Sequence, residues 1–119
     1  LCKESQDWAS QLAAHDIGMQ HQTEERYGVN LYCAQVTLHP VVAKTVVDFW
    51  YSKLSAFDFH NQEESPTSAG SGTQVVWKRT QHLGVGKAIT RDGKNCYVVA
   101  YYDPPGNVRG KYGANVFPA

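Results

Sequence analysis

Thr73–Gly86, TQVVWKRTQHLGVG, is the stretch on which the reading of this chain turns. Val75, Val76 and Trp77 are strand-forming residues, and Lys78 to His82 interrupt the apolar run with a polar turn. Leu83 and Val85 flank Gly84, with Gly86 behind them. Glycine inside a strand pattern marks a bulge or a place where another backbone comes close. On residue chemistry alone the stretch is a strand from Gln74 to Lys78, a turn, and a second strand from Leu83 to Thr90.

Downstream, Tyr97 to Asp103 reads as a third strand. It is separated from the second by Arg91-Asp92-Gly93-Lys94, and Asp-Gly is a strong hairpin signal. Pro104-Pro105-Gly106-Asn107 is a rigid turn, and the tail carries Tyr112, Val116 and Phe117, which can pack back onto the sheet. Upstream, Leu1 to Ala14 places Trp8, Ala9, Leu12 and Ala13 at helical spacing. This predicts an amphipathic helix that Gly18 ends or bends. Leu31 to Val36 is a short extended piece. His39-Pro40 opens a second helix, since proline is tolerated in a first turn. Along it Val42, Ala43, Val46, Val47, Phe49, Trp50 and Leu54 form a wide apolar face suited to burial. Lys53 falls on the edge of that face, its stem covering apolar surface. Phe57 to Gly72 is rich in turn residues and reads as a long loop, with Glu63-Glu64 a solvated charge pair. Helices first and strands later predict an α+β fold, a single domain over 1–119 with its sheet between helical layers.

The bulk properties agree with one neutral domain. A length of 119 residues with 42% hydrophobic residues can bury a substantial core. Eleven Lys and Arg balance eleven Asp and Glu, so no global field draws nucleic acid to the chain. No apolar run approaches the roughly 18 residues of a transmembrane helix. The three cysteines, Cys2, Cys33 and Cys96, are an odd count that argues against a closed disulfide framework, although one pair could form, and they are too widely spaced for a Cys-x-x-Cys zinc pair. They read as small buried thiols. The chain opens at Leu1 inside a helix pattern, with neither an initiator Met nor a signal peptide. A further N-terminal segment is therefore expected.

Two ordered motifs resemble the CAP superfamily of cysteine-rich secretory, antigen 5 and pathogenesis-related proteins. The first is Thr73-Gln74-Val75-Val76-Trp77 followed by Leu83-Gly84-Val85-Gly86, and the second is Tyr97 to Asn107, YVVAYYDPPGN. The resemblance implies a three-layer α–β–α sandwich, here without the family's N-terminal segment. It also implies a cavity lined by two His and two Glu that can hold a divalent metal, imidazole and carboxylate being good ligands for zinc-like ions. On this sequence the first His falls on His21, the first Glu becomes Val29, the second Glu becomes Lys53 and the second His becomes Ser71. One ligand of four remains, and a cation beside Lys53 is repelled. The expectation is a degenerate cavity lined by His21, Val29, Lys53 and Ser71 that holds no metal and no cofactor. His39, His60 and His82 replace the lost ligands only if loops bring them in.

Two functions from different classes follow from the resemblance. The first is a non-enzymatic binding module for lipid or sterol or for a protein partner, with a homodimer as a further possibility. The helix from Val41 to Leu54 and the loop from Phe57 to Gly72 are the candidate groove walls. The second is a divergent hydrolase pairing Ser71 as nucleophile with His21 as base. Against it, no orienting acid occupies its family position, and Gly70-Ser71-Gly72 is not a Gly-x-Ser-x-Gly elbow. Secreted relatives carry Cys where this chain has Val85 and Ala100, which places it nearest the Golgi-associated pathogenesis-related branch. That comparison favours an intracellular, endomembrane-associated setting, with secretion as the alternative.

Overall fold

The computed structural model describes residues 1–16, 18, 20, 26–36, 42–57 and 69–117. The elements are α1 (Cys2–His15), β1 (Gly28–Gln35), α2 (Ala43–Ser52) with a 3-10 turn (Lys53–Ala56), α3 (Gly70–Val75), β2 (His82–Ile89), β3 (Asn95–Asp103) and α4 (Tyr112–Asn115). The three strands form one antiparallel sheet in the order β1-β3-β2.

β3 is the axis of the molecule. Cys96 to Tyr102 is buried along its whole length, as a strand covered on both faces must be. Its alternation splits the core in two. Tyr97, Val99 and Tyr101 pack with Ala9, Leu12 and Ala13 of α1. Cys96, Val98, Ala100 and Tyr102 pack with Val46 and Trp50 of α2. The predicted sheet between helical layers is thus observed.

The glycines of β2 explain how α1 sits. Gly86 opposes Val99 and Gly84 opposes Tyr101, so both lie on the α1 face. A Cβ at Gly84 would overlap the Leu1 and Cys2 backbone, and one at Gly86 the backbone of Ser5 and Gln6. The helix rests directly on the strand, so of the two readings the glycine pattern allows, a bulge or a close backbone approach, the structure shows the second. The Gln6 amide then closes the outer edge of β2. Its Nε2 donates to the Lys87 carbonyl at 2.9 Å, and its Oε1 accepts from the Lys87 N–H at 3.1 Å. This occupies a main-chain position at which another strand could otherwise pair.

Four expectations need correction. First, Gln74 to Lys78 is not a strand: α3 ends at Val75 and a turn follows. Strand propensity loses here to tertiary demand. Thr73 and Gln74 are buried polar residues whose bonds need this helical turn, and the apolar side chains scatter between two clusters instead of alternating across a sheet. The third strand is β1, begun at Gly28 and not at Leu31. Second, α1 ends on Asp16 in the left-handed conformation (φ 48°), with its N–H bonded to the Leu12 carbonyl, and Gly18 lies beyond. Asp16 tolerates that conformation because its carboxylate is held, accepting from Tyr97 Oη at 2.8 Å and Asn95 Nδ2 at 3.1 Å. Third, the tail does not return to the sheet. Val116 and Tyr112 join Phe57, Ala69 and Trp77 in a third cluster, and Phe117 stays exposed under the Lys78 ammonium. Fourth, the apolar face of α2 is only partly buried: Val46 and Trp50 are covered, whereas Val42, Val47 and Phe49 are exposed. The Asp92-Gly93 hairpin is as expected, with Gly93 at φ 75°. His39, Pro40 and most of the Phe57 to Gly72 stretch lie outside the described residues.

Candidate functional site

The residues of the two sequence motifs converge on a buried polar network beside α3. Gln74 is 1% exposed; its Oε1 accepts from the Gly106 N–H at 2.9 Å and its Nε2 donates to Thr80 Oγ1 at 3.2 Å. Thr73 Oγ1 donates to Asn107 Oδ1 at 2.5 Å, and Asn107 Nδ2 donates to the Gly70 carbonyl at 2.8 Å. Asn30 Nδ2 donates to the Ser71 carbonyl and to Tyr102 Oη, both at 3.1 Å. Burial pushes the Tyr102 phenol up to about 12. These side chains spend their bonds on one another and on the backbone. The motif therefore reads as a clamp between α3 and the Pro104–Asn107 turn, with none of these groups offered to a substrate.

The four residues expected to line the cavity fare differently. His21 lies outside the described residues, as do His39, His60, Glu63 and Glu64. Val29 pairs with Tyr101 and packs with the α1-side cluster. Ser71 is on the other side of the sheet, near α2, where its Oγ donates to the Trp50 carbonyl at 3.2 Å. Lys53 begins the 3-10 turn with its ammonium 4.6 Å from the Phe49 ring centroid. The structure does not bring Val29 and Ser71 together, because β1 separates them. An isopropyl group, an ammonium and a hydroxyl do not make a zinc-type donor set. Among the described residues no three His, Cys, Asp or Glu converge on one point. His15 is exposed in the last turn of α1, and His82 opens β2. The cysteines are free, with Cys96 buried, Cys33 half-buried and Cys2 exposed. Burial pushes the Cys33 and Cys96 thiols up, away from the thiolate form that reacts or binds metal.

An apolar groove runs between α2 and β2. Val42, Val46 and Val47 form one wall, and Leu83 and Val85 the other. Trp50, Val98 and Tyr102 make its floor, and Lys87 stands at the rim. Its volume is about 200 Å³. Leu83 is 57% exposed, Val85 and Val42 48%, and Val47 45%. The α2 wall is the helix that the sequence marked as a groove candidate. The β2 wall was missed, although the sequence held its signal. With Gly84 and Gly86 turned to α1, alternation sends Leu83, Val85 and Lys87 to the opposite face.

The fold and these residues have relatives. The model of the cysteine-rich secretory protein family, CAP, matches residues 1–102. The chain is similar to the human Golgi-associated plant pathogenesis-related protein 1, 37% identical over 127 residues, covering 99% of this chain and 79% of that protein. It is 34% identical to venom allergen 5 of Polybia paulista and 35% to pathogenesis-related protein 1A of Nicotiana tabacum, but spans only 54% and 61% of their lengths. Among solved structures, BmVAL-1 superposes with a TM-score of 0.67 at 20% identity, over 91% of this chain and 57% of that one. The structure of MpPR-1i gives 0.62 at 17% identity, over 92% and 75%. A clamp built from the family's signature residues, an α–β–α core and a family match over most of the chain lead to one conclusion: the chain belongs to the CAP family of cysteine-rich secretory proteins.

Proposed function

We propose that this CAP domain is a non-enzymatic binding module that takes an apolar ligand, a lipid or the apolar side chains of a protein partner, in the groove between α2 and β2. The observation that carries this reading is the groove itself. Large apolar side chains from two elements stand exposed on both sides of a trough whose floor is Trp50, Val98 and Tyr102. At about 200 Å³ it is smaller than the roughly 300–1,000 Å³ of sites that engulf a small molecule. It suits part of an acyl chain or sterol laid along it, with the rest of the ligand outside. Lys87 at the rim places positive charge where a carboxylate end would lie.

The residues speak against catalysis. Ser71 commits its proton to the Trp50 carbonyl, and no carboxylate or imidazole among the described residues bonds to it. An unactivated hydroxyl is a weak nucleophile. We further propose that the family's metal cavity is degenerate here, on the chemistry of Val29, Lys53 and Ser71.

Native mass spectrometry with separate fatty-acid, cholesterol and zinc challenges tests the reading. The expected result is a lipid adduct on the wild type, at least about tenfold weaker on Val85→Glu because a charge then enters the apolar trough, and no stoichiometric zinc adduct. Val85 is half exposed, so the variant is expected to fold. Lipid binding untouched by Val85→Glu would remove the groove from the account, and one tightly bound zinc would restore the metal site.

A further inference from the structure

The neutral total hides a division of charge. Residues 1–64 hold four Lys or Arg against nine Asp or Glu, whereas residues 65–119 hold seven against two. Part of the positive excess gathers around a second hollow of about 400 Å³, remote in chemistry from the apolar groove. Its walls include Trp77, Pro104, Pro105 and Val108, with Arg79 and Lys111 among the residues that line it. Lys78, next to Arg79, and Arg109, two residues before Lys111, are both exposed. None of the ion pairs among the described residues uses any of these four side chains.

The hollow is held by fixed bonds. Asn115, a buried residue of α4, accepts from the Arg79 N–H through Oδ1 at 3.1 Å and donates from Nδ2 to the Lys111 carbonyl at 2.8 Å. One buried amide thus sets the backbone positions of both lining cations. The Lys78 N–H also donates to the Asn115 carbonyl at 3.0 Å. Thr80 Oγ1 donates to the Pro104 carbonyl at 2.9 Å, joining the Lys78–Thr80 turn to the proline wall. Two prolines and this bonding make the site preorganised, so little ordering opposes an incoming ligand.

We propose that this hollow between α4 and the Pro104-Pro105 turn is a docking site for an acidic peptide segment of a partner protein. Carboxylates of the segment meet Arg79 and Lys111, and an apolar side chain between them enters the space beside Val108 and the prolines. Charge complementarity selects the sign of the partner. Concavity selects a peptide over a membrane, because a side chain enters a hollow and a flat headgroup surface does not. Nucleic acid is disfavoured because Trp77 is buried and presents no open stacking face.

The test is fluorescence anisotropy with a short fluorescein-labelled peptide of alternating Glu and Leu, the Gln-Leu peptide as control, and phosphatidylserine vesicles in parallel. The expected result is saturable binding of the Glu-Leu peptide that weakens with salt. It should fall at least about tenfold in Arg79→Glu/Lys111→Glu and be unchanged in Lys3→Glu. Circular dichroism checks each fold, and Arg79→Gln/Lys111→Gln replaces the charge reversal if that variant unfolds. Equal binding by the wild type and the double variant overturns the proposal, as does equal binding of the Gln-Leu peptide. Vesicle binding that depends on Arg79 and Lys111 where peptide binding does not would assign the cations to a membrane surface and overturn it too.

Discussion

Asn30 and Tyr102 meet where β1 and β3 face α3, and their bond fixes how the phenol responds to pH. Tyr102 is buried and accepts from the Asn30 amide, yet burial dominates and its pKa rises from 10 to about 12. The folded state therefore favours the protonated phenol. With the folded pKa above the unfolded one, the stabilisation is fully present below pH 10 and is lost as pH climbs through 12. Tyr97, on the opposite face, is also pushed up to about 12 by burial and by its bond to Asp16. Urea unfolding should show stability that is flat with respect to these tyrosines up to about pH 10 and then falls steeply. Tyr102→Phe should remove roughly 2–3 kcal/mol of that fall. A variant with an unchanged alkaline limb would mean that Tyr102 ionises freely in the folded protein. At this scale the sequence was partly legible. Gly84 and Gly86 marked a bulge or a close backbone approach without saying which element would come near, whereas nothing in Asp16 itself marked it as the cap in place of Gly18. That choice depends on Asn95 and Tyr97, far along the chain, which hold its carboxylate.

Two glutamines, each joining two elements through a pair of hydrogen bonds, show what burial does to equal bonding. Gln6 ties α1 to the β2 edge from an exposed position, and Gln74 ties α3 to Gly106 and Thr80 from the interior. In Gln6→Ala, water can take over both Lys87 bonds, so the expected loss is below about 1 kcal/mol. In Gln74→Ala, the Gly106 N–H is stranded and a cavity opens beside it. The expected loss is roughly 2–4 kcal/mol. Equilibrium urea midpoints for the two variants check the order, and equal losses would show that the motif glutamine is no clamp. The same contrast explains the misread strand. Val75-Val76-Trp77 has strand propensity, but Thr73 and Gln74 have buried polar obligations that only a helical turn satisfies. The three regular signals, the α1 periodicity, the Asp92-Gly93 hairpin and the apolar β3 run, needed only local neighbours and were legible. The candidate site was less so, because its polar residues answer to Gly106, Asn107 and Trp50, contacts that sequence spacing does not reveal.

At the scale of the whole molecule, the three tryptophans divide the core among themselves. Trp8 packs on the α1-side cluster and donates to the Gln20 carbonyl. Trp50 is buried on the α2 side and donates to the Leu31 carbonyl. Trp77 belongs to the third cluster with Phe57, Val116 and Tyr112. The first two clusters share β3, whose adjacent residues Val98 and Val99 point to opposite sides, so neither can open without exposing the back of the other. The third contains no strand residue, and the segments that carry it meet the sheet through single bonds such as Asn30 to the Ser71 carbonyl and the Gln81 N–H to the Asp103 carbonyl. Satellite clusters of this kind occupy the low-stability end of a domain. Three variants that each keep one tryptophan, the others replaced by Phe, therefore give distinct reporters for urea unfolding. The Trp8 and Trp50 transitions should coincide, and the Trp77 transition should come at lower urea. Separation of Trp8 from Trp50 would show that the two helical layers unfold independently and that β3 is not their common core. Coincidence of all three would show that the polar clamp couples the third cluster as tightly as shared strand packing does.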